Sequence, residues 1–244
     1  MLSDVIGAGI LMGYYLIIVA AIPTLIKAYT NIPTEWVRKG QHIGYSLSIF
    51  ALLRLFSAWY MAVAAAFILV IIGYPLLLVC ERRPLYRRVF AIDRSKRGGE
   101  LRKQLLYVQL SFAVLIAVFW GLLGIRSNYV VAVAVMAWGF GDAAAALVGK
   151  AFGRRHVLHR YIERAKTYEG MTAMMVVAGA AAFFTLLIYG GQPWHVSLLV
   201  SVVVAPVCGV VELFSRKGTD TLTVPFTAAV VILPLINILS LLGW

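Results

Sequence analysis

Long apolar runs separated by short polar loops make up this chain. Eight runs have about the length of a membrane-spanning helix, at approximately residues 2–22, 42–57, 59–80, 104–124, 128–148, 171–190, 194–214 and 222–242. About 20 apolar residues in a helix cross the hydrocarbon core of a bilayer. The second run is the shortest and contains Arg54. The pattern predicts an all-α fold, a multi-pass transmembrane bundle of about eight helices forming a single domain over residues 1–244.

Basic residues occupy every second loop between these runs. Of the 22 Lys and Arg residues, only Arg54 and Arg126 lie in the other loops. Loops rich in Lys and Arg stay on the cytoplasmic side of a membrane. The pattern therefore predicts cytoplasmic basic loops and both termini on the non-cytoplasmic side.

Composition and charge support a membrane protein. Hydrophobic residues make up 62% of the chain and charged residues only 13%, which excludes an ordinary soluble domain. The net charge of +12 lies in loops beside apolar helices, so it indicates membrane topology and no nucleic-acid partner. The basic loop at 81–103 predicts binding to anionic lipid headgroups, with a short amphipathic helix at 85–90.

Four carboxylates stand out because they are predicted at a similar depth near the cytoplasmic ends of the spans: Asp142, Glu169, Glu212 and Asp220. Ionisable groups within spans cost about 2.5–3.5 kcal/mol on insertion scales and usually mark function. Three have an ordinary alternative: Glu212 could pair with Arg216, Asp220 could cap a helix, and Glu169 could favour a helix N-terminus. Asp142 is the strongest candidate, because it lies roughly 12 Å inside Lys150 among small residues.

Two further blocks combine the residue types that bind phosphate. Gly149-Lys150 to Gly153, followed by Lys166-Thr-Tyr-Glu-Gly170, places glycines beside cations, although it is not a Walker A loop. Arg38 and His42 are four residues apart and share one helix face. Both blocks could equally be ordinary basic segments at the membrane surface.

Five blocks in this order resemble the polyprenol kinase family, which includes phytol kinase, dolichol kinase and the CTP-dependent diacylglycerol kinase of yeast. The blocks are Arg38-Lys39-x-x-His42, Gly141-Asp142 to Gly153, Lys166-Thr-x-Glu169-Gly170, Glu212, and Asp220-x-Leu-Thr223-Val-Pro225. The small chain is most similar to the phytol kinase branch. Thr221 stands where the family usually has Asn, so an amide is replaced by a hydroxyl.

The resemblance implies transfer of the γ-phosphoryl group of CTP to the hydroxyl of a membrane isoprenoid alcohol such as phytol or dolichol, at the cytoplasmic face. It implies a nucleotide site formed by Arg38, Lys39, Gly141, Gly149, Lys150, Gly153, Lys166, Thr167, Gly170 and Thr223. It also implies Mg²⁺ held by Asp142, with Glu169, Asp220 or Glu212 as further ligands. Asp142, Glu169 or His42 would orient or deprotonate the lipid hydroxyl.

Three other functions compete with this interpretation. A CTP-dependent diacylglycerol kinase would use the same blocks on a different lipid. A CTP:phosphatidate cytidylyltransferase would need paired aspartates near the C-terminus, where only Asp220 is present. A transporter would fit the prolines within spans, Pro75, Pro206 and Pro234, but predicts matching breaks in two halves, which the sequence lacks.

Overall fold

The computed structural model describes residues 2–81, 99–215 and 218–243, which are almost entirely helical and contain no strand. The first helical stretch consists of α1 (Leu2–Tyr14), a π-helical segment (Tyr15–Ala21) and α2 (Ile22–Tyr29). The chain continues with α3 (Thr34–Arg54), α4 (Trp59–Glu81), α5 (Glu100–Leu115) with a π-helical segment (Ile116–Leu122), a 3₁₀ turn (Ile125–Ser127), α6 (Asn128–Phe152), α7 (Tyr168–Ile188), α8 (Trp194–Phe214) and α9 (Asp220–Leu241). The predicted all-α class is confirmed.

Seven helical stretches of the described residues are long and apolar enough to cross a membrane: Leu2–Tyr29, Trp59–Val79, Leu101–Leu122, Ile125–Phe152, Tyr168–Ile188, Trp194–Phe214 and Asp220–Leu241. The chain is therefore a multi-pass membrane protein. The predicted second span, 42–57, overlaps α3, which ends at Arg54 and does not meet the criteria of length, hydropathy and charge for a membrane span. Glu35, Arg38, Lys39 and Arg54 lower its apolar character. An eighth crossing and the side of each terminus remain predictions.

Several helices extend beyond their apolar runs, which corrects two predicted positions. Helix α3 begins at Thr34, before the apolar run at 42, and contains both Arg38 and His42, as their shared helix face requires. Helix α6 continues to Phe152, so Lys150 lies in its last turn and not in the following loop. Asp220 is the first residue of α9, whose N-cap is Thr219. Hydropathy marks only the apolar part of a helix, whereas backbone hydrogen bonds continue into the polar ends.

The described helices group into two compact units, and the first spans Met1–Ala117. Its helix α1 is tied to the turn before α4, because the buried Asp4 carboxylate accepts hydrogen bonds from the Ser57 backbone N–H at 2.9 Å and the Ser57 hydroxyl at 2.8 Å. The Tyr14 hydroxyl donates to the Gly44 carbonyl at 2.7 Å, which ties the same stretch to α3. Helix α5 packs against α4.

The second unit spans Val118–Trp244 and is organised around α6. Every residue from Val130 to Gly139 is buried, so this part of α6 is enclosed on all sides. Helices α7 and α9 pack along α6, and α8 packs against α7 and α9. That residues 1–244 form one domain remains a prediction.

Two sequence-based predictions lie outside the described residues. The amphipathic helix predicted at 85–90 falls in the segment 82–98. The pairing predicted between Glu212 and Arg216 involves residue 216, which is also outside the described ranges.

Candidate functional site

A seam of small residues joins α6 to α7. A Cβ atom on Gly141 would lie 2.6 Å from the Met174 sulfur, and one on Gly170 would lie 2.9 Å from the Ala145 carbonyl oxygen. Gly141, Ala145 and Gly149 recur every four residues, so they share one face of α6. The small residues thus allow close approach of the two helices, most strictly at Gly170, where the nearest atom is backbone.

Thr167 lies where two of the predicted blocks meet. It is buried, forms the N-cap of α7 and accepts a hydrogen bond from the Gly170 N–H at 3.1 Å. Cβ atoms on Gly149 and Gly153 would lie 3.1 Å and 3.0 Å from its hydroxyl oxygen. The structure therefore brings the Gly149–Gly153 block and the Lys166–Gly170 block into contact, as expected for parts of one site.

The loop between α6 and α7 is folded back on itself by backbone hydrogen bonds. The Val157 N–H donates to the Lys166 carbonyl and the Tyr168 N–H to the Arg155 carbonyl, each at 3.0 Å. The Glu169 carboxylate accepts from the Arg155 N–H at 3.3 and 3.4 Å. Glu169 thereby holds the start of this loop against the N-terminus of α7, where the helix dipole favours a negative charge.

Lys166 and Glu212 form an ion pair at the C-terminus of α8. The Lys166 ammonium also donates to the Glu212 carbonyl at 3.0 Å, and the Glu212 side chain is buried. A cation at the last turn satisfies terminal carbonyls and interacts favourably with the helix dipole. One residue predicted to bind nucleotide is therefore paired with another predicted to bind metal.

Hydroxyl groups connect α8 to α9. The Ser215 and Thr223 hydroxyl oxygens are 2.6 Å apart across this connection. The Thr223 hydroxyl also donates to the Thr219 carbonyl at 3.0 Å, within the turn that starts α9. Thr221, at the position where the family usually has Asn, is buried in the same turn. Thr223, predicted to bind nucleotide, is thus part of the helix connection beside Asp220.

Asp142 is buried in α6, next to the seam residue Gly141, whereas Lys150 at the end of the helix is exposed. Among the residues described by the structure, no three His, Cys, Asp or Glu side chains gather closely enough to hold a metal ion. Magnesium does not require such a group, because it binds through one or two carboxylates, substrate phosphates and water. The carboxylate oxygens of Asp142 are donors of the kind that this chemistry uses.

The remaining predicted residues belong to the N-terminal unit. Arg38 forms an ion pair with Glu35 at 2.9 Å, one helical turn earlier. His42 is buried, and its Nδ1 lies 3.1 Å from the Gln104 amide nitrogen. Lys39 is also buried. The binding and catalytic roles of these residues, like those of the second unit, remain predictions.

Uncharged polar residues inside the spans were missed in the sequence analysis. Tyr15, Gln41, Ser48 and Gln109 are buried in the N-terminal unit and hydrogen-bonded across helices. Their signal is visible in the sequence as amides and hydroxyls within apolar runs. It carries less weight than an ionisable group because uncharged polar side chains are tolerated in membrane helices.

The seven membrane-length helical stretches, with polar residues at their ends, define a polytopic helical membrane protein. Over 220 residues the chain is 30% identical to a phytol kinase from Synechocystis sp., and the alignment covers 89% of this chain and 86% of that protein. The chain therefore belongs to the polyprenol kinase family, as the sequence blocks predicted. No family model matches the chain, and no solved structure matches it.

Proposed function

We propose that this protein is a CTP-dependent lipid kinase. It transfers the γ-phosphoryl group to the hydroxyl of a membrane isoprenoid alcohol, phytol or a similar prenol, at the cytoplasmic face. The observation that carries the proposal is the similarity to a phytol kinase along 89% of the chain. Phosphoryl transfer needs positioning and charge neutralisation rather than covalent chemistry from the protein, which suits a site made of basic, acidic and glycine residues.

The nucleotide phosphates are proposed to bind where the α6 and α7 blocks meet. Lys150 is exposed at the end of α6, and the folded loop that follows contributes Arg154 and Arg155. Their cationic groups neutralise phosphate charge, and backbone N–H groups beside Gly153 offer further hydrogen bonds. Thr167, at the start of α7, packs against Gly149 and Gly153 and so keeps the end of α6 next to the start of α7.

Asp142 is the proposed main ligand of Mg²⁺, with Glu169 or Asp220 as a second. When bound, the ion would neutralise developing charge on the phosphate oxygens. Asp142 is a buried carboxylate, and carboxylate oxygens are ligands that Mg²⁺ takes in proteins. Glu212 is a weaker candidate than the other carboxylates because Lys166 already neutralises it.

His42 is proposed to orient the lipid oxygen rather than to act as the base. When the Gln104 amide nitrogen donates to Nδ1, the neutral imidazole carries its hydrogen on Nε2. That ring then donates a hydrogen bond and does not accept a proton. The proposed proton acceptor is a carboxylate that does not hold the ion, and Glu169 is the candidate when Asp142 and Asp220 hold it.

Labelled nucleotide tests this function directly. The purified protein in liposomes is incubated with γ-labelled CTP, Mg²⁺ and phytol, farnesol, geranylgeraniol, undecaprenol, dolichol or diacylglycerol. We expect label in an isoprenoid alcohol together with release of CDP, and faster transfer from CTP than from UTP or ATP. Label only in diacylglycerol, or α-label in phosphatidate with release of pyrophosphate, would replace the proposal with one of its competitors.

A further inference from the structure

A directed chain of hydrogen bonds runs through the interior of the N-terminal unit. The Gln109 amide nitrogen donates to the Tyr15 hydroxyl at 2.5 Å, and the Tyr15 hydroxyl is 2.9 Å from the Ser48 hydroxyl. Ser48 uses its single hydrogen on the Tyr45 carbonyl at 2.7 Å, so Tyr15 must be the donor to Ser48. Three helical stretches are thus linked by bonds that all point the same way.

The hydrogen-bond series begins at Gln109, whose carbonyl oxygen accepts no hydrogen bond from the protein atoms that the structure describes. Gln109 is 1% exposed, and its carbonyl oxygen has no hydrogen-bond partner within residues 2–81, 99–215 and 218–243. The same holds for the carbonyl oxygen of Gln41, which is 4% exposed and whose amide nitrogen donates to the Val19 carbonyl at 2.8 Å. A buried acceptor without a donor costs about 1–3 kcal/mol. Both oxygens therefore favour a ligand that supplies an O–H donor.

The cluster lies at an irregular part of a membrane-length helix. Tyr15 begins the π-helical segment Tyr15–Ala21, and Val19 lies within it. Such segments inside α-helices occur frequently at functional sites. Leu16 and Ile17, the next two residues, are more than half exposed, so the same helix presents an apolar outer surface to lipid tails.

We propose that the Gln109 carbonyl oxygen, oriented by its bond to Tyr15, binds the hydroxyl group of the lipid alcohol acceptor before the hydroxyl proton is transferred. The inference rests on the proposed function and adds the residues that recognise the acceptor. Gln41 provides a second acceptor oxygen near Val19, about one helical turn from Tyr15.

Acceptor-only oxygens also discriminate substrate from product. An alcohol donates one hydrogen bond to an amide carbonyl, which matches Gln109. The phosphorylated product carries about −1.5 to −2 charges at neutral pH and presents mainly acceptor oxygens. A carbonyl oxygen in an apolar interior repels such a group, so the site retains the alcohol and releases its phosphate ester.

Two variants and a control test the proposal. Gln109→Met keeps the side-chain length without the amide, and Tyr15→Phe keeps the ring without the hydroxyl that orients Gln109. We expect each to raise the KM for the lipid alcohol by about tenfold and to leave the KM for the nucleotide unchanged. Ser46→Ala is the matched control, because that buried hydroxyl bonds only to the carbonyl of His42 in its own helix.

Photo-crosslinking separates a bound lipid hydroxyl from a bound water molecule without any turnover. Wild-type protein is labelled with a diazirine-bearing prenol. Unlabelled phytol and its methyl ether, which lacks the O–H donor, are tested separately as competitors of this labelling. We expect the alcohol to compete at least about tenfold better than the ether in wild type and in Ser46→Ala, and this preference to disappear in the two variants.

The inference is overturned if folded variants keep the preference and the KM of wild type, or if alcohol and ether compete equally in wild type, as they would around a structural water. Melting temperatures show which variants fold. If Gln109→Met does not, the more conservative Tyr15→Phe decides. A wild-type protein that prefers the alcohol but phosphorylates no lipid would refute the proposed function and leave this binding site standing.

Discussion

Asp142 is a buried acidic residue within one of the sequence blocks that resemble the family. It is 7% exposed in a helix whose other buried residues are almost all apolar. Glu169 accepts from the Arg155 N–H and Glu212 pairs with Lys166, so both take part in the packing of loops and helix ends. Asp142 lies inside a membrane-length helix, where ionisable residues usually mark function, so it is our first candidate for chemistry in this unit.

Asp142→Asn is expected to lower lipid phosphorylation by about 100-fold or more, because the amide keeps the volume but loses the charge that holds a cation. Melting temperature and membrane insertion should remain near wild type. The measurement is turnover of γ-labelled CTP in liposomes, with Glu163→Gln in the α6–α7 loop as the charge-matched control. Turnover in Asp142→Asn equal to that of the control would remove Asp142 from the mechanism.

Lys166 illustrates a residue with two possible tasks. Its block in the sequence resembles a phosphate site, yet its ammonium group pairs with the buried Glu212 carboxylate. Removing one partner of a buried ion pair leaves an uncompensated charge, which costs about 3–5 kcal/mol. The stabilising task can therefore be measured separately from nucleotide binding.

Lys166→Met should lower the melting temperature by roughly 6–12 °C, and adding Glu212→Gln should recover most of that loss because the buried charge is then removed. Thermal unfolding of both single variants and the double variant gives the coupling energy. If Lys166 also binds phosphate, the double variant melts like wild type but retains a raised KM for CTP. Additive melting shifts would contradict the pair.

At the scale of elements, the α6–α7 seam explains glycines that sequence motifs assign to phosphate binding. The nearest atom to a Cβ on Gly141 is the flexible Met174 sulfur, which can move. The nearest atom to a Cβ on Gly170 is the backbone oxygen of Ala145, which cannot move without shifting the helix. The two positions therefore differ in tolerance although both are helical glycines.

Gly170→Ala is expected to destabilise the protein by about 1–3 kcal/mol, because the added methyl group forces α7 away from α6. Gly13→Ala in α1 is the matched control, since no atom lies within 4 Å of its Cβ position. That control should be neutral or stabilising by about 0.5–1 kcal/mol, the usual gain from replacing a helical glycine. Equal melting temperatures for both variants would show that the seam is not tightly packed.

The helix ends were the least predictable part of each element. Apolar runs located the centres of α4, α6, α7, α8 and α9, because a membrane span needs a continuous apolar stretch. They did not locate the polar turns of α3 before residue 42 or the last turn of α6. In those turns the helix is set by backbone hydrogen bonds and capping, as at Thr167, rather than by hydropathy.

At the scale of the whole molecule, the number of crossings determines where the termini lie. Seven stretches of the described residues qualify by length and composition, and α3 is the eighth long helix with more polar content. Alternating basic loops agree with eight crossings, which place both termini on one side. Seven crossings would place them on opposite sides.

Protease protection of terminal tags distinguishes these arrangements. We expect tags at both ends to be protected in inside-out vesicles and cleaved in right-side-out vesicles, because α3 crosses the membrane despite its charges. A separate membrane protein of known orientation provides the control for vesicle sidedness. Opposite behaviour of the two tags would show seven crossings and reverse the predicted side of one terminus.

The family and the helical membrane class could be predicted from the sequence because both depend on local patterns. Apolar length, alternating basic loops and ordered motif blocks are properties of short segments, and relatives share them. The family relationship is confirmed by 30% identity to a phytol kinase over 89% of the chain.

The partners of the individual side chains were decided only by tertiary structure. Lys166 and Glu212 are 46 positions apart, and Gln109 and Tyr15 are 94 apart, so no local pattern relates them. A glycine can allow two helices to pack closely or a ligand to approach. The atom that faces the position of its absent Cβ decides between these, and that atom belongs to another helix. Apolar periodicity sets which segments are buried in a membrane, but close packing in three dimensions decides which polar groups meet there.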